Sequence, residues 1–568
     1  MLSLISKFRL DRLRETLFGS SSDAAEKVIH GKPALVEVQE AIALVESLTC
    51  DAIACQSTAG PNGTAKKALT TRNAFGKKIL TSNVETVSGS IATGIGMALT
   101  GLRTSVFVSG DQLTDGLTQL QSLSRRPIPL LVHALLRGDS SVGSTHAAYH
   151  AASDFGLFQV MPHNTQQAID FTLLARWISE RSLVPGLIGL DRRTLQKVSL
   201  PSAELVREFL GFPDESLASP TASQLLLFGS ERQTIPGWFD VDKPVSLASL
   251  QGANDGASSA IGRQAMFFDH LTDLAVQGMD RLSKLTGRDL SFLSKNEVEG
   301  SEIVIVAQGT AYQTALAAAS YLRAEKGWKI GVLGLTWLRP FPTEEVTKAL
   351  AKVSKLLVLE CSPAAPAQGA PLTREIRDCV PASRNQIMTA HFGMHGQPLH
   401  VGQLVQALSE LRNKGSRSKV LLGITTGKGK LGEFPKREGL LRAVSSDYPG
   451  AREAIVDASA PLVSPDASAK TIQWIGPATF EASDVLTRLG EKIESAANPH
   501  IRGGAWSPEA GVLAARAQAT AAPLPGTETG AVVDVLLLSR VGLDLIYNPL
   551  ADLGEGGKVV IDSDRTPQ

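Results

Sequence analysis

Four short stretches place reactive side chains between apolar runs: Gln56-Ser57-Thr58-Ala59-Gly60, Asn83-Val84-Glu85, Ser109-Gly110-Asp111-Gln112 and Arg137-Gly138-Asp139. Glu85 is the sharpest of these signals. The run that follows it, Ser88 to Thr100, is uncharged and made of Gly, Ala, Ser, Thr and apolar residues. That composition suits a helix packed closely against its neighbours, and a carboxylate at its head meets the positive end of the helix dipole. Two readings stay open at this level: an acidic residue favouring a helix start, or a carboxylate facing a cofactor or a reacting group.

The elements that must position these residues follow from periodicity. Between Pro33 and Asp191, short β-branched or apolar runs alternate with Ala-rich helical segments, the pattern of a parallel α/β unit. The spacing predicts strands at Ala52–Cys55, Lys78–Thr81, Thr104–Ser109, Pro129–Ala134 and Leu187–Leu190. Ligands of open parallel sheets bind beyond the carboxyl ends of the strands, so the four loops are expected to face one crevice. Pro201 to Asn296 is less regular and carries one long helical pattern from His270 to Leu285. A second α/β unit opens with the strand Ile303–Ala307, and continues through a helix at Thr314–Glu325 and strands at Lys329–Leu335 and Leu356–Glu360. Only Gly309 follows its first strand, so a dinucleotide-binding fingerprint is absent. A third unit runs from Thr471–Gly476 through Val532–Leu538 to Lys558–Asp562. The expected organisation is an N-terminal amphipathic docking helix over 1–30 and α/β domains over 31–296, 297–410 and 471–568, with a basic Gly/Ser-rich linker over 411–470. All three domains are expected to have mostly parallel sheets.

Composition narrows the function. The 568 residues carry 56 Lys+Arg against 56 Asp+Glu, a balance that gives no field for nucleic acid or an anionic membrane. No apolar run approaches the ~20 residues of a membrane span. The cysteines Cys50, Cys55, Cys361 and Cys379 form no CxxC pair, so no zinc or iron-sulfur site is expected in this chain. They are expected to be buried thiols of a cytoplasmic protein. His133, His146, His150 and His163 include no HExxH, and only His146 and His150 share helical spacing. The basic run Lys66, Lys67, Arg72, Lys77 and Lys78 reads as a solvated loop. The stretch Gly423-Ile424-Thr425-Thr426-Gly427-Lys428 falls one residue short of a phosphate loop, with Gly429 where Ser or Thr is required.

With these elements placed, the chain resembles the 2-oxoacid:ferredoxin (acceptor) oxidoreductase family, which includes pyruvate:ferredoxin oxidoreductase. Glu85 is similar to the carboxylate of the family's Ser-Glu-Gly element. Thr58 lies where the family has its substrate-contacting Thr, here within Cys55-Gln56-Ser57-Thr58-Ala59. His133-Ala134-Leu135-Leu136-Arg137 resembles the segment whose Arg meets the oxoacid carboxylate. Asp154-Phe155-Gly156-Leu157 and Val184-Pro185-Gly186-Leu187 match nearby. Gly327-Trp328-Lys329-Ile330-Gly331-Val332-Leu333, Leu338-Arg339-Pro340-Phe341-Pro342 and Val358-Leu359-Glu360 resemble the second domain, itself transketolase C-terminal-like. Arg502-Gly503-Gly504-Ala505 and Leu553 to Asp562 resemble the gamma domain. Its glycine-rich first loop is replaced by Gly476-Pro477-Ala478-Thr479-Phe480-Glu481, where proline fixes φ and removes a donor.

The resemblance implies an alpha plus gamma subunit for thiamine-dependent oxidative decarboxylation of a 2-oxoacid, such as pyruvate, to acyl-CoA. It implies Glu85, Arg137 and Thr58 as catalytic residues, with Glu85 also the contact to thiamine diphosphate. The cofactor and its magnesium would sit at the interface with a thiamine-binding beta subunit, whose iron-sulfur clusters pass electrons to ferredoxin or another acceptor. Coenzyme A would be the cosubstrate. Each residue also has a plain reading: Arg137 as an ion pair with Asp139 or Asp154, Thr58 as a helix cap, and Arg339 in packing and salt bridging. For the whole chain the alternative is a non-catalytic scaffold of a larger redox complex.

Overall fold

The computed structural model of this protein describes residues 28–57, 72–110, 112–136, 146–191, 193–239, 241–242, 253–362, 369–381, 386–393, 399–413, 417–423, 435–456, 469–495, 498–508, 511–521, 532–540, 550 and 553–562. The expected docking helix falls almost wholly outside these residues, as do Thr58, Arg137, Asp139, Lys66 and Lys67. The phosphate-loop-like stretch lies outside them too, apart from Gly423.

The first sheet has the spatial order Trp337–Arg339, Phe158–Val160, Gly186–Asp191, Leu130–Leu136, Thr104–Ser109, Ala52–Gln56, Leu80–Val84. All its pairings are parallel except that of Trp337–Arg339, an edge strand lent by the second unit. Central strands such as Leu130–Leu136 are buried along their whole length, which is why they read as continuous apolar runs and do not alternate. The strand expected at Lys78–Thr81 lies instead at Leu80–Val84, so Asn83 and Val84 belong to the sheet. The small-residue run forms the helix Val87–Leu99. Gly94 brings this helix onto the sheet, since a Cβ there would stand 2.2 Å from Val106 Cγ2.

The second sheet runs Leu293–Asn296, Ile330–Leu335, Ile303–Gln308, Lys355–Glu360, Gln386–His391, Lys419–Leu421. It is parallel apart from its first strand. Lys419–Leu421 comes from the segment expected to be linker, which also holds the helix Pro435–Asp447. A three-residue strand held by backbone bonds leaves little trace in a Lys- and Gly-rich composition.

The third sheet departs most from expectation. Its order is Lys32–Glu37, Arg193–Leu200, His500–Trp506, Val512–Thr520, Lys470–Pro477, Val533–Ser539, Leu553–Asp562. Four of its six pairings are antiparallel. Two of its strands come from the first 200 residues of the chain, so the C-terminal unit shares its sheet with the first. The helix Ala482–Ile493 covers one face, packing Leu486 and Leu489 onto Leu195, Ile501 and the alanines of Val512–Thr520.

Beneath the first sheet lies a fully buried polar network centred on Glu46. Its carboxylate accepts from Thr49 Oγ1 at 2.6 Å and Ser105 Oγ at 2.7 Å, and meets His133 Nε2 at 2.6 Å and Arg176 Nη2 at 3.1 Å. Burial alone would raise its pKa, but Arg176 and His133 together hold it well below the ordinary 4.5. A depressed carboxylate contributes stability that is fully present above its unfolded value and is lost as pH falls below it. Glu46→Gln is therefore expected to destabilise the protein by about 3–5 kcal/mol at pH 7, because Arg176 loses its buried counter-ion. Urea denaturation should show that deficit shrinking as pH falls below 4.5; a deficit independent of pH contradicts the charge role.

Candidate functional site at the carboxyl ends of the strands

The sheet order brings the predicted loops side by side. Strands ending at Leu136, Ser109, Gln56 and Val84 are consecutive neighbours, and Ser57 N donates to Val84 O at 2.8 Å, locking the last two together. Glu85 follows directly on Val84. It is exposed, and among the described residues its carboxylate has no ion pair or hydrogen-bond partner. Thr86, not Glu85, is the helix cap: its Oγ1 accepts from Gly89 N at 3.1 Å. The helix-start reading of Glu85 is thus met by its neighbour, and its own carboxylate is exposed at the strand edge.

Thr58 and Arg137 lie outside the described residues, though each follows closely on a strand of this edge. The strand preceding Arg137 stands three places from that preceding Glu85, roughly 14 Å at the usual ~4.8 Å strand spacing. Asp154, one possible ion-pair partner of Arg137, lies 3.6 Å from Arg339 Nη2. Arg339 also donates to Glu375 at 2.7 Å and to Ser153 O at 3.1 Å, the packing and salt-bridge role expected of it.

Sequence reasoning gave Gln56 no role, yet its fully buried amide organises the edge. Its Oε1 accepts from Ser109 N at 2.8 Å, and its Nε2 donates to Gln112 Oε1. Cys55, one residue earlier, is no nucleophile: burial pushes its thiol up to about 12. Phe107 stacks on the ring of His133, 4.8 Å between centroids, which fixes that histidine in the core and away from the crevice.

The carboxyl ends of the first two sheets meet at a second polar cluster. Asp191 Oδ2 accepts from Thr310 N at 3.1 Å and from Thr310 Oγ1 at 2.8 Å. Asp191 Oδ1 stands 3.5 Å from His146 Nε2, and His146 N donates to Cys361 O at 3.2 Å. His150 sits 6.4 Å from His146 between ring centroids. Burial, with His146 and Arg339 nearby, pushes its pKa down to about 3, so it is neutral. His163 stacks on Tyr312, with burial lowering it to about 4. No group of three or more metal-ligating side chains occurs among the described residues, and none of their helices is long and apolar enough to cross a membrane.

The architecture is a mostly parallel sheet with a loop-lined carboxyl edge, docked on a second sheet of the same kind. Residues 64–233 match the pyruvate flavodoxin/ferredoxin oxidoreductase thiamine diphosphate-binding domain, and residues 301–404 match pyruvate:ferredoxin oxidoreductase core domain II. Over these two regions the chain is similar to the pyruvate:ferredoxin oxidoreductase family. Among its relatives, pyruvate synthase subunit PorA of Pyrococcus furiosus is 24% identical over 336 residues, covering 57% of this chain and 79% of the relative. PorA of Thermotoga maritima is 24% identical, covering 58% and 81%. Pyruvate:ferredoxin oxidoreductase of Moorella thermoacetica is 21% identical, covering 62% of this chain and 30% of that much longer protein. Among solved structures, 2-oxoglutarate:ferredoxin oxidoreductase from Magnetococcus marinus aligns with TM-score 0.45 and 16% identity over 67% of this chain and 65% of its own.

Gln56→Ala is expected to leave the Ser109 amide without its acceptor, costing about 1–3 kcal/mol. Hydrogen exchange should quicken at Ser109 and Gln112 while the strand Ile303–Gln308 keeps its protection; unchanged exchange at Ser109 would remove the organising role. The four cysteines are free and buried, so a thiol-specific chromogenic reagent at pH 8 should label them only after denaturation.

Proposed function

We propose that this chain is the subunit of a 2-oxoacid:acceptor oxidoreductase that presents Glu85 to thiamine diphosphate held mainly by a partner subunit. The observation that carries this reading is the placement of Glu85. It is an exposed carboxylate without a partner among the described residues, at the carboxyl edge of the parallel sheet, within residues that match a thiamine diphosphate-binding domain. An acceptor-only side chain free over a crevice suits a ring nitrogen that must be hydrogen-bonded.

Thiamine diphosphate, when bound, supplies the carbon nucleophile and electron sink that decarboxylation of a 2-oxoacid needs. The protein's share is orientation and charge. Glu85 would accept a hydrogen bond from the aminopyrimidine ring nitrogen of the bound cofactor and so orient it. Arg137, which follows the strand Leu130–Leu136 in sequence, would fork onto the oxoacid carboxylate, and Thr58 would donate to the substrate's carbonyl or carboxylate oxygen. In the net reaction the oxoacid loses carbon dioxide, its acyl group passes to coenzyme A, and two electrons leave through iron-sulfur centres of the partner. The magnesium site and the clusters are assigned to that partner. The C-terminal unit is the gamma-like part, and the assembly works in the reducing cytoplasm as a hetero-oligomer with ferredoxin or another acceptor.

The test is reconstitution with the co-purifying partner. Pyruvate- or 2-oxoglutarate-dependent reduction of a viologen dye should fall at least about 100-fold in Glu85→Gln, the scale of a lost proton-handling group. Arg137→Gln should chiefly raise KM for the oxoacid. A Glu85→Gln complex as active as the wild type would sink the assignment. A wild-type complex that binds its partner but reduces no dye with any 2-oxoacid would favour the scaffold reading.

A further inference from the structure

A carboxamide has nearly the same shape either way round, so the bonds it makes decide where its oxygen and its NH2 group lie. At the carboxyl edge of the first sheet that choice is forced. Ser109 N is a backbone amide and can only donate, so the atom of Gln56 that meets it at 2.8 Å must be the oxygen. The other end of Gln56 is then its NH2 group, and the atom of Gln112 that meets it must be an oxygen in turn. What remains of Gln112 is its own NH2 group, a pair of N–H donors.

Gln112 is exposed, and among the described residues its Nε2 has no hydrogen-bond partner. Its side chain is not spent on the short helix Leu113–Gly116 that it precedes; its backbone oxygen alone serves that turn, accepting from Asp115 N at 3.0 Å. The loop is held on both sides. Gly110 N donates to Leu135 O at 2.8 Å, and a Cβ on Gly110 would stand 2.8 Å from Leu136 Cα, so the loop lies directly on the neighbouring strand. Leu113, the next residue after Gln112, is fully buried. A surface glutamine ordinarily gives up rotamer freedom when it binds something. Here the buried Gln56 already holds the side chain by its oxygen. The strand Thr104–Ser109, which leads into this loop, lies between the strand preceding Arg137 and the strand Ala52–Gln56, and Leu80–Val84, which leads to Glu85, comes next. Thr104–Ser109 is thus two places from Leu80–Val84, roughly 10 Å at the usual strand spacing. The edge carries two polar ends of opposite kind: at Glu85 a group that accepts, and at Gln112 a group that only donates.

We infer that Gln112 is a substrate-binding residue of this edge, its NH2 group donating to a carboxylate or carbonyl oxygen of the 2-oxoacid, and that Gln56 is the positioning residue that turns that group outward. The inference rests on the oxidoreductase reading of the same edge. At its reacting end a 2-oxoacid presents only acceptors, a carboxylate and a carbonyl. A hydrogen bond to a charged oxygen is stronger than one to a neutral oxygen. The carboxamide does not ionise, so it offers these donors beside the Glu85 carboxylate without forming an ion pair with it. Such donors also set specificity, because a ligand without an oxygen at that place leaves them unpaired.

The full chain, in complex with its co-purifying partner and thiamine diphosphate, tests this by titration calorimetry beside the dye assay. The probes are oxamate and N-oxalylglycine, non-reacting analogues of a short and of a dicarboxylic 2-oxoacid. Gln112→Glu keeps an oxygen for Gln56 but presents a second carboxylate oxygen where the donors stood. It should weaken binding of whichever analogue the wild type takes by about 10- to 100-fold, the scale of a lost hydrogen bond to a charged group. KM for the oxoacid should rise by a similar factor with a smaller change in kcat, and amide exchange at Ser109 should stay as in the wild type. Gln112→Met removes donors and acceptor together and should weaken binding less than Gln112→Glu does. A purely structural Gln112 predicts the reverse order, since Gln112→Glu preserves the bond to Gln56 and Gln112→Met breaks it. That reverse order, or binding by Gln112→Glu equal to that of an active wild-type complex, overturns the assignment of Gln112 alone. A wild-type complex that binds neither analogue and reduces no dye with any 2-oxoacid overturns the oxidoreductase reading and this assignment with it.

Discussion

The buried charge of Glu46 is the constraint on which the first unit depends. Its carboxylate collects groups from four elements: Thr49 of its own helix, Ser105 and His133 of two adjacent central strands, and Arg176 of the helix Thr165–Ser182. A carboxylate excluded from water is tolerable only when every partner is in place. The network therefore fixes the offset of two helices against the sheet more narrowly than apolar packing would. The same strands run on to Ser109 and Leu136, so the constraint at the bottom of the sheet sets the height of the loops at its top. Arg103, forked onto Glu180 and held at its backbone by Asp51, repeats the device one layer further out.

Above that layer the molecule divides its labour between two polar regions. The strand edge at Glu85 is open, and its carboxylate is exposed. The cluster at His146, Asp191, Thr310 and Cys361 is closed, and the nearby His150 and His163 are held neutral by burial. It joins the carboxyl ends of two parallel sheets, and in doing so ties the short helix His146–Ala151, which follows the Arg137 loop, to the second unit. The third sheet extends this fastening by pairing Arg193–Leu200, the strand that leaves the first sheet, with His500–Trp506.

Much of this was legible in the residues. Thr104–Ser109 and Ile303–Ala307 could be read as strands because strands buried on both faces must be continuously apolar. The helix after Glu85 was legible because only small residues allow the approach that Gly94 makes to Val106. Glu85 itself stood out as the charge bordering an uncharged run. Other features left no local trace. The strand Leu80–Val84 is an edge strand, largely exposed, so its pattern was too weak to fix its start. Gln56 looked like any loop amide, since its two partners are more than fifty residues away. The strands His500–Trp506 and Val512–Thr520, rich in Gly and Ala, carry little β-propensity of their own and are held by their neighbours.

By itself, then, the sequence determined that two α/β units would form and that Glu85 would head a closely packed helix. Periodicity and residue size are local properties, and these conclusions needed nothing else. Tertiary structure alone decided that Thr86 rather than Glu85 caps the helix, leaving the carboxylate free. It alone decided that Lys32–Glu37 and Arg193–Leu200 belong to the C-terminal sheet. Those outcomes depend on which distant strands become neighbours, and backbone pairing is blind to the side chains that a sequence displays.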